Sequence, residues 1–442
     1  MQESIVTLSC VILLTCIGVM RAGPIFASEQ AKESCPHAKG WKPSKEELDG
    51  ILTRHRQWLE KSGKNENSEE GRANLCNANL SGAELNGAML DKADLSDTQL
   101  ASANLNRANL SEAKLYRARA YYAELNDANL FGANLDDANL LLAKLNNANL
   151  KTATLKRAFL LGAEMKNVDL NYAQLDNAYF PGADLIGASL QQGSVSGAVL
   201  AQSDLTNAKY APVSRPPDPY VAGIKGLSTV TFEAGREDGL VQLRELLQKA
   251  GHRELEREAT FAIESGKTKH AITEWHENRA GAIEGVFRKF AFEWTTGYGL
   301  YPAHALLIIV VVWALLVPIY AWSIWQEPRK VTGGSGIYRI WPKDRVEMRE
   351  GMQPKLDNPA VVECLHGGYV SALGWAAYFS LLSTFQIGFR EFSVGTWLSR
   401  AQPRNFVLES VGWVRTVSGL QSLLSVYLLA MWVLTYFGRP FQ

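Results

Sequence analysis

One short polar segment, enclosed by apolar sequence, holds the residues whose chemistry could act on a ligand. It consists of Thr384, Phe385, Gln386, Ile387, Gly388, Phe389, Arg390 and Glu391. Hydroxyl, carboxamide, charged side chains and free backbone carbonyls are the groups that line ion pathways, where they replace or repel an ion's hydration shell. The rest of the sequence has no GxSxG, P-loop or HExxH motif, so we expect no enzyme, no cofactor and no metal site.

Apolar stretches on either side must position this segment. Neither Ala305–Trp322 nor Val417–Phe437 carries a charged residue. Each is long enough, with its flanks, to cross a bilayer. Between them, Tyr369–Phe389 is interrupted by Gly374 and Gly388. That pattern predicts a half-helix followed by an irregular turn, which must be shielded from lipid.

The order of span, re-entrant loop and span resembles the pore domain of the potassium-channel family. Tyr378, Phe379 and Ser380 match the end of the family's pore helix, and residues 387–391 fall on its V-G-Y-G-D filter. Gln386 stands at a filter threonine and Arg390 at the second filter glycine, so the resemblance implies a tetrameric pore without potassium selectivity. The alternative is a two-span anchor that does not conduct. A nearer match to the filter letters, at residues 295–299, precedes the first span and is interpreted as a turn.

A second pattern organises residues 72–210. Leucine recurs every five residues with alanine two positions earlier, as in "ANLNRANLSEAKL" at residues 103–115. A fixed short period predicts a solenoid, in which only stacked turns have a core. The stretch resembles the pentapeptide-repeat family, whose motif is A(D/N)LXX. The resemblance implies a right-handed, four-sided β-helix of about seven coils. Its interior would include Leu75, Leu80, Leu105, Leu110, Leu130, Leu135, Leu140 and Leu150.

Charge limits what this solenoid can bind. The whole chain has a net charge of zero, and residues 72–210 hold fourteen acidic and twelve basic side chains. A basic surplus, which nucleic-acid binding requires, is absent. A dense acidic face, which the DNA-mimicking members of the family need, is interrupted by lysine and arginine. We therefore expect no nucleic-acid partner, and either a protein-binding face or a plain spacer.

The N-terminal segment indicates export. Ile5–Met20 is an apolar run of signal-peptide length, so residues 1–27 are interpreted as a signal peptide, or else as an uncleaved anchor. Residues 28–71 contain a helical patch, with His55 on it, that would cap the first coil. Export favours a disulfide between Cys35 and Cys76, against the alternative of unrelated thiols.

The remaining expectations concern the domain boundaries, the orientation in the membrane and the assembly. Residues 211–297 read as a helical linker and residues 298–442 as the membrane domain. Basic residues near the span ends favour a cytoplasmic inter-span segment. We therefore expect a multi-pass protein of the cell (inner) membrane, with the lipid bilayer around it, assembled as a homotetramer and carrying its repeats outside the cytoplasm.

Overall fold

The structure is a computed structural model that describes residues 35–62, 71–214, 218–325, 336–341, 361–364, 369–384 and 407–437. The predicted signal segment and residues 385–391 of the predicted loop lie outside the described residues. Along the described chain, a capping helix is followed by a β-solenoid, then by three helices that carry charged residues, and then by a group of apolar helices.

Residues 71–214 form a solenoid in which each coil contains twenty residues. Parallel bridges pair the residue directly before each inward leucine with the residue twenty positions later, beginning with Asn74 and Asp94. The backbone N–H of each inward leucine donates to the next coil, as from Leu75 to the Asp94 carbonyl over 2.7 Å. Four five-residue segments therefore complete one coil, which is why the period of five persists.

The turn between two segments explains the polar residue types. The second residue after each inward leucine has a positive φ, for example 61° at Asn77 and 67° at Gly82. Glycine adopts this left-handed conformation freely, and Asn and Asp tolerate it better than other residues. Asn74 shows a second role, because its side-chain oxygen accepts the backbone N–H of Cys76. Glycine, asparagine and aspartate are therefore frequent at the corners of the coil, although larger residues such as Tyr122 and Leu142 also adopt a positive φ there.

The interior of the solenoid is a continuous column of leucine and alanine. Two residues before each leucine, alanine fills the narrow space at the corner, as Ala103 and Ala133 do. The eight leucines named above are each at most 3% exposed. Close packing of one large and one small side chain per segment leaves the coils no room to slip.

The first coil is covered by α1, Lys45–Ser62. Trp41, Leu48, Ile51 and Leu52 pack against the solenoid core. This cover removes the exposed edge that a solenoid end would otherwise present.

The opposite end of the solenoid extends past the predicted boundary at Tyr210. Strand β1, Ser189–Gln191, pairs in parallel with β2, Lys209–Ala211. Two further bridges, from Asp204 to Lys225 and from Lys209 to Thr231, continue the stack. The 3₁₀ turns Asp218–Val221 and Leu227–Thr229 belong to this last part.

Helices then close this end. α2, Asp238–Lys249, and α3, Arg253–Thr273, place Leu240, Leu243 and Ile263 in the same apolar cluster as the leucine column. Next comes α4, Arg279–Arg288, followed by a π-helical segment, Lys289–Glu293, and an α-helical turn, Trp294–Thr296. The region described as a linker from sequence is therefore a packed cap.

Two helices are long and apolar enough to cross a membrane. They are α5, Ala303–Trp325, and α7, Trp413–Phe437. The shorter apolar helix α6, Tyr369–Thr384, lies between them in sequence. The sequence offered no sign of the small antiparallel sheet formed by the connections, in which the first of three strands lies in the middle. Its strands are β3, Gly336–Trp341, β4, Val361–Cys364, and β5, Val407–Val411.

Candidate functional site

A buried polar cluster joins the three apolar helices. Gln421 of α7 donates its side-chain amide to the Ser380 carbonyl oxygen at 3.0 Å, to Ser380 Oγ at 3.0 Å and to Thr384 Oγ1 at 2.8 Å. Its side-chain oxygen accepts the Tyr320 hydroxyl of α5 at 2.8 Å. The Gln421 carboxamide therefore contacts both other helices, since its oxygen accepts a hydrogen bond from α5 and its NH₂ group donates to α6.

The local sequence explains why α6 accepts this contact. Ala372, Ala376 and Phe379 of α6 pack against Tyr320 and Val414 in one apolar cluster. The small alanines allow close approach of the helices, as is usual in membrane helix packing. Ser380 and Thr384 of α6 then face the interior between the three apolar helices, where Gln421 lies. The result is a short helix held between two long ones within a single chain.

The cluster lies where the predicted loop begins. Thr384 is the last described residue of its segment, and its hydroxyl donates to the Ser380 carbonyl at 2.9 Å. Among the described residues, the buried Ser383 Oγ has no hydrogen-bond partner. Phe385, Gln386 and the predicted filter positions up to Glu391 lie outside the described part of the chain. The hydrogen bonds of Thr384 therefore fix the position of the end of α6, from which the predicted loop would start.

Sequence reasoning missed Gln421 and Tyr320. Gln421 was visible as the one carboxamide within the apolar stretch of the second span. A polar side chain in such a stretch faces the bundle interior rather than lipid. Its partners could not be identified, because Tyr320 is 101 residues away in the chain.

Ion pairs form ladders along the solenoid corners. Arg117 binds Asp97 at 2.6 Å and Arg157 binds Asp137 at 2.7 Å, each pair joining consecutive coils. The hydrogen bond that the Arg117 guanidinium donates to the Asp97 carboxylate raises the pKa of Arg117. Because charges of opposite sign alternate along the corner, this surface cannot present a uniformly acidic face.

One side of the solenoid carries large apolar side chains in its middle coils. Successive coils place large side chains above one another, and the Phe159 and Tyr179 rings stack with centroids 5.1 Å apart. We define the apolar strip as these two residues together with Tyr121, Tyr122, Leu141, Leu142 and Leu161. Tyr122 is 53% exposed and Leu142 42% exposed. Exposed apolar patches of this kind are typical of protein-binding surfaces.

The capped end contains the two cysteines and a buried histidine. Cys35 and Cys76 form a disulfide, with Cα atoms 5.9 Å apart. His55 is fully buried, and its Nδ1 accepts the backbone N–H of Ala73 at 3.0 Å. Burial lowers the pKa of His55 and raises the pKa of the neighbouring Asp91 carboxyl. This histidine ties the cap to the first coil. Within the described ranges, no three His, Cys, Asp or Glu side chains are grouped so that they could hold a metal ion.

Comparisons with known proteins agree with the solenoid. The family model described as pentapeptide repeats matches in 8 copies, at residues 71–107, 93–130, 123–160, 143–182 and 183–209. No curated protein sequence matches the chain.

Among solved structures, the chain is similar to HetL, a pentapeptide repeat protein involved in heterocyst differentiation regulation from the cyanobacterium Nostoc sp. Strain PCC 7120. The identity is 29%, over 37% of this chain and 84% of HetL, with a TM-score of 0.19. A pentapeptide repeat protein of the Arabidopsis thaliana thylakoid lumen shares 28% identity, over 26% of this chain and 67% of that one, with a TM-score of 0.21. The fluoroquinolone resistance protein QnrB1 shares 17% sequence identity, over 39% of this chain and 88% of QnrB1, with a TM-score of 0.26.

Proposed function

We propose that residues 71–209, which match the pentapeptide-repeat model, form the protein-binding part of a membrane protein whose C-terminal domain has the layout of an ion-channel pore. The proposal assigns no catalytic reaction to the chain. The solenoid, of about seven coils and roughly 30 Å in height, would also separate the bound partner from the membrane.

One observation carries the pore proposal: a short apolar helix, α6, packs between two helices of spanning length. A helix of this length cannot cross the bilayer by itself. A segment that enters and leaves by the same face would place residues 384–391 at the end of α6. Since one such loop cannot surround an ion, several copies are required, and a closed tetramer is the arrangement of the family it resembles.

The predicted loop sequence argues against potassium selectivity. Selective passage of potassium needs successive backbone carbonyls that replace the hydration shell. Arg390 stands where glycine allows that backbone path, and Gln386 offers a polar ring suited to a hydrated ion. Arg390 either adds positive charge at the mouth or pairs with Glu391.

We place the protein in the cell (inner) membrane. The distribution of basic residues near the span ends supports an orientation in which the solenoid lies outside the cytoplasm. The inter-span side carries Arg329, Lys330, Arg339, Lys343, Arg345, Arg400, Arg404 and Arg415, and the opposite side carries Arg288, Lys289 and Arg439. Cytoplasmic segments are the ones enriched in lysine and arginine. A reporter that is active only in the cytoplasm, fused after Gln442, should be silent, whereas an active reporter would reverse the orientation.

For the partner-binding role, the apolar strip is the surface that fits best. Its exposed tyrosines and leucines contrast with the ion-pair ladders at the neighbouring corner. A protein partner with apolar side chains would bury this strip, since aromatic residues dominate binding energy at interfaces.

A second candidate, a membrane-anchored scaffold that does not conduct, is favoured by the hydrogen bonds of Gln421. They pair Ser380 and Thr384 of α6 with Gln421 inside one chain, so these two buried groups need no second copy.

Recording from the purified protein in a planar bilayer separates the two candidates. The pore proposal expects currents that do not discriminate potassium from sodium, and a tetramer in mild detergent. If Arg390 faces the pore, Arg390→Glu should shift the reversal potential toward cations. Silence in the bilayer together with a monomer in detergent would favour the scaffold, and strong potassium selectivity would contradict the proposed filter.

A further inference from the structure

The helical segment before the first span has an apolar face that the rest of the described chain leaves uncovered. Residues 279–296 run continuously through α4, the π-helical segment and the following turn. Apolar side chains recur there every three or four residues, which places them on one side of a helix. Their exposed fractions are 60% for Ile283, 36% for Val286, 62% for Phe287, 51% for Phe290 and 58% for Trp294.

The other side of this segment is fixed, so the apolar face cannot turn inward. Gly285 is packed so tightly on α3 that an added Cβ would lie 3.1 Å from the side chains of Ala271 and Ile272. Arg288 binds Glu264 of α3 at 3.3 Å. The exposed apolar side chains therefore face outward because of the fold, and not because the segment is loosely attached.

The segment also lies directly against the spanning helices. The Tyr427 hydroxyl in α7 donates to the Ala291 carbonyl oxygen. α5 begins at Ala303, only a few residues after the segment ends. Ala305 and Leu428 pack together where the first span starts beside the second. The apolar face is thus continuous with the outer surface of the two spans, where Leu307 is 62% exposed and Leu434 50% exposed.

We propose that residues 279–296 lie in the interface of the lipid bilayer, with this apolar face among the headgroups and upper acyl chains. Helices with phenylalanine and tryptophan on one side and charged residues at their borders bind in this way. Tryptophan in particular prefers the interface. Arg279, Glu284 and Lys289 supply the polar border. The inference rests on the proposed membrane embedding of α5 and α7.

A consequence concerns the solenoid. α3 carries the segment on one side and contacts the last solenoid coil on the other, where His270 Nε2 lies 2.9 Å from the Phe232 carbonyl oxygen. An added Cβ at Gly266 would lie 2.6 Å from the Phe232 ring. With the segment seated on the bilayer, the solenoid is held at a fixed angle to the membrane surface instead of swinging on a linker.

Spin labelling of the full chain tests this placement. Cys10, Cys16 and Cys364 are replaced by alanine and the disulfide is kept, and then one cysteine is introduced as Phe287→Cys or Phe290→Cys. Each labelled protein is placed in vesicles of phosphatidylethanolamine and phosphatidylglycerol. Collisions of the nitroxide with oxygen, which concentrates in lipid, are compared with collisions with a water-soluble nickel chelate.

Two further labels serve as references. Leu315→Cys, on a span residue that is 64% exposed, reports the lipid, and Glu254→Cys, at an exposed position of α3, reports water. We expect the ratio of oxygen to nickel collisions at 287 and 290 to lie above that of the Glu254→Cys label and below that of the Leu315→Cys label, because the interface is shallower than the span.

Three results would overturn parts of the proposal separately. Preferential nickel access at both 287 and 290, with Leu315→Cys in lipid, rejects the interfacial helix and leaves the membrane domain standing. Nickel access at Leu315→Cys rejects the membrane embedding itself. Dipolar broadening at 287 or 290 that disappears on dilution with unlabelled chain would show that a second copy, and not lipid, covers the face.

Discussion

The side-chain amide of Gln421 donates to Thr384 Oγ1 over 2.8 Å, which ties the second long apolar helix to the last turn of the short helix α6. The hydroxyl of Tyr320 reaches the same carboxamide from the first long helix. Whether or not the domain conducts, the end of α6 is held by a residue 37 positions further along the chain. The position of any loop that follows Thr384 therefore depends on Gln421.

We predict that Gln421→Leu loosens α6. The change leaves the Tyr320 hydroxyl without its acceptor and Thr384 without a donor, at a cost of about 1 to 3 kcal/mol. Thermal unfolding in detergent should show a lower midpoint. Leu420→Val is the matched control, because Leu420 is 63% exposed on the adjacent position of α7. Equal midpoints for the two variants would contradict a structural role for the glutamine.

The solenoid could be predicted from the sequence because every coil repeats the same local requirement. A leucine such as Leu135 makes its contacts with the residues at the same position of neighbouring coils, so the period alone gives its surroundings. The Gln421 cluster has no such period, since it depends on how three separate helices cross. The inter-span sheet was missed for the same reason: its strands pair over long loops. The parallel bridges that continue past Tyr210, to Lys225 and Thr231, could not be predicted, because 3₁₀ turns replace the five-residue repeat there.

Leu135→Asp should disrupt the solenoid. Leu135 is 2% exposed, and a buried carboxylate without a partner costs several kcal/mol. Urea unfolding followed by circular dichroism should show a large loss of stability. The control is Arg107→Glu, at an exposed corner position, which should stay within about 0.5 kcal/mol. Similar losses in both variants would mean that the assignment of inward and outward positions is wrong.

The neighbouring residue Asp136 behaves differently from what its sequence position indicates. From the sequence it is an outward residue whose change to lysine should be nearly silent. In the structure its Oδ1 accepts the backbone N–H of Lys156 in the next coil at 2.9 Å. We therefore expect Asp136→Lys to cost about 1 kcal/mol, between Arg107→Glu and Leu135→Asp, in the same urea experiment. Asp136→Asn, which keeps an acceptor oxygen, should lose less.

Reduction of the disulfide between Cys35 and Cys76 should release the cap before the solenoid. The bridge closes a loop of 41 residues, which corresponds to about 4 kcal/mol in the chain-entropy model. Hydrogen exchange should become faster in Lys45–Ser62 and remain slow at the central leucines. The variant Cys35→Ala, examined without reductant, should reproduce the effect. Mass spectrometry that found both thiols free in trapped material would contradict the bridge.

The last prediction concerns the pH dependence of the cap. A backbone N–H can only donate, so His55 Nδ1, which accepts from Ala73, must be unprotonated. Protonation would place an N–H against an N–H and break this contact. Burial, the largest cause, lowers the pKa of His55 in the folded cap, and the positive charge of Arg72 adds to it, while Asp91 acts in the opposite direction.

A histidine whose pKa is lower in the folded state stabilises the cap fully above its unfolded value of about 6.5. That stability is lost as the pH falls from there through the folded pKa. Hydrogen exchange of Lys45–Ser62, corrected for the intrinsic effect of pH, should therefore show weaker protection at about pH 5 than at about pH 8. The raised pKa of Asp91 has the opposite sign, because it lowers the stability as the pH rises above the unfolded value of about 3.9. His55→Asn keeps an acceptor oxygen for Ala73 but cannot titrate, so it should remove the difference. Protection that is independent of pH in the unmodified protein, or an unchanged pH dependence in His55→Asn, would show that His55 does not control the cap.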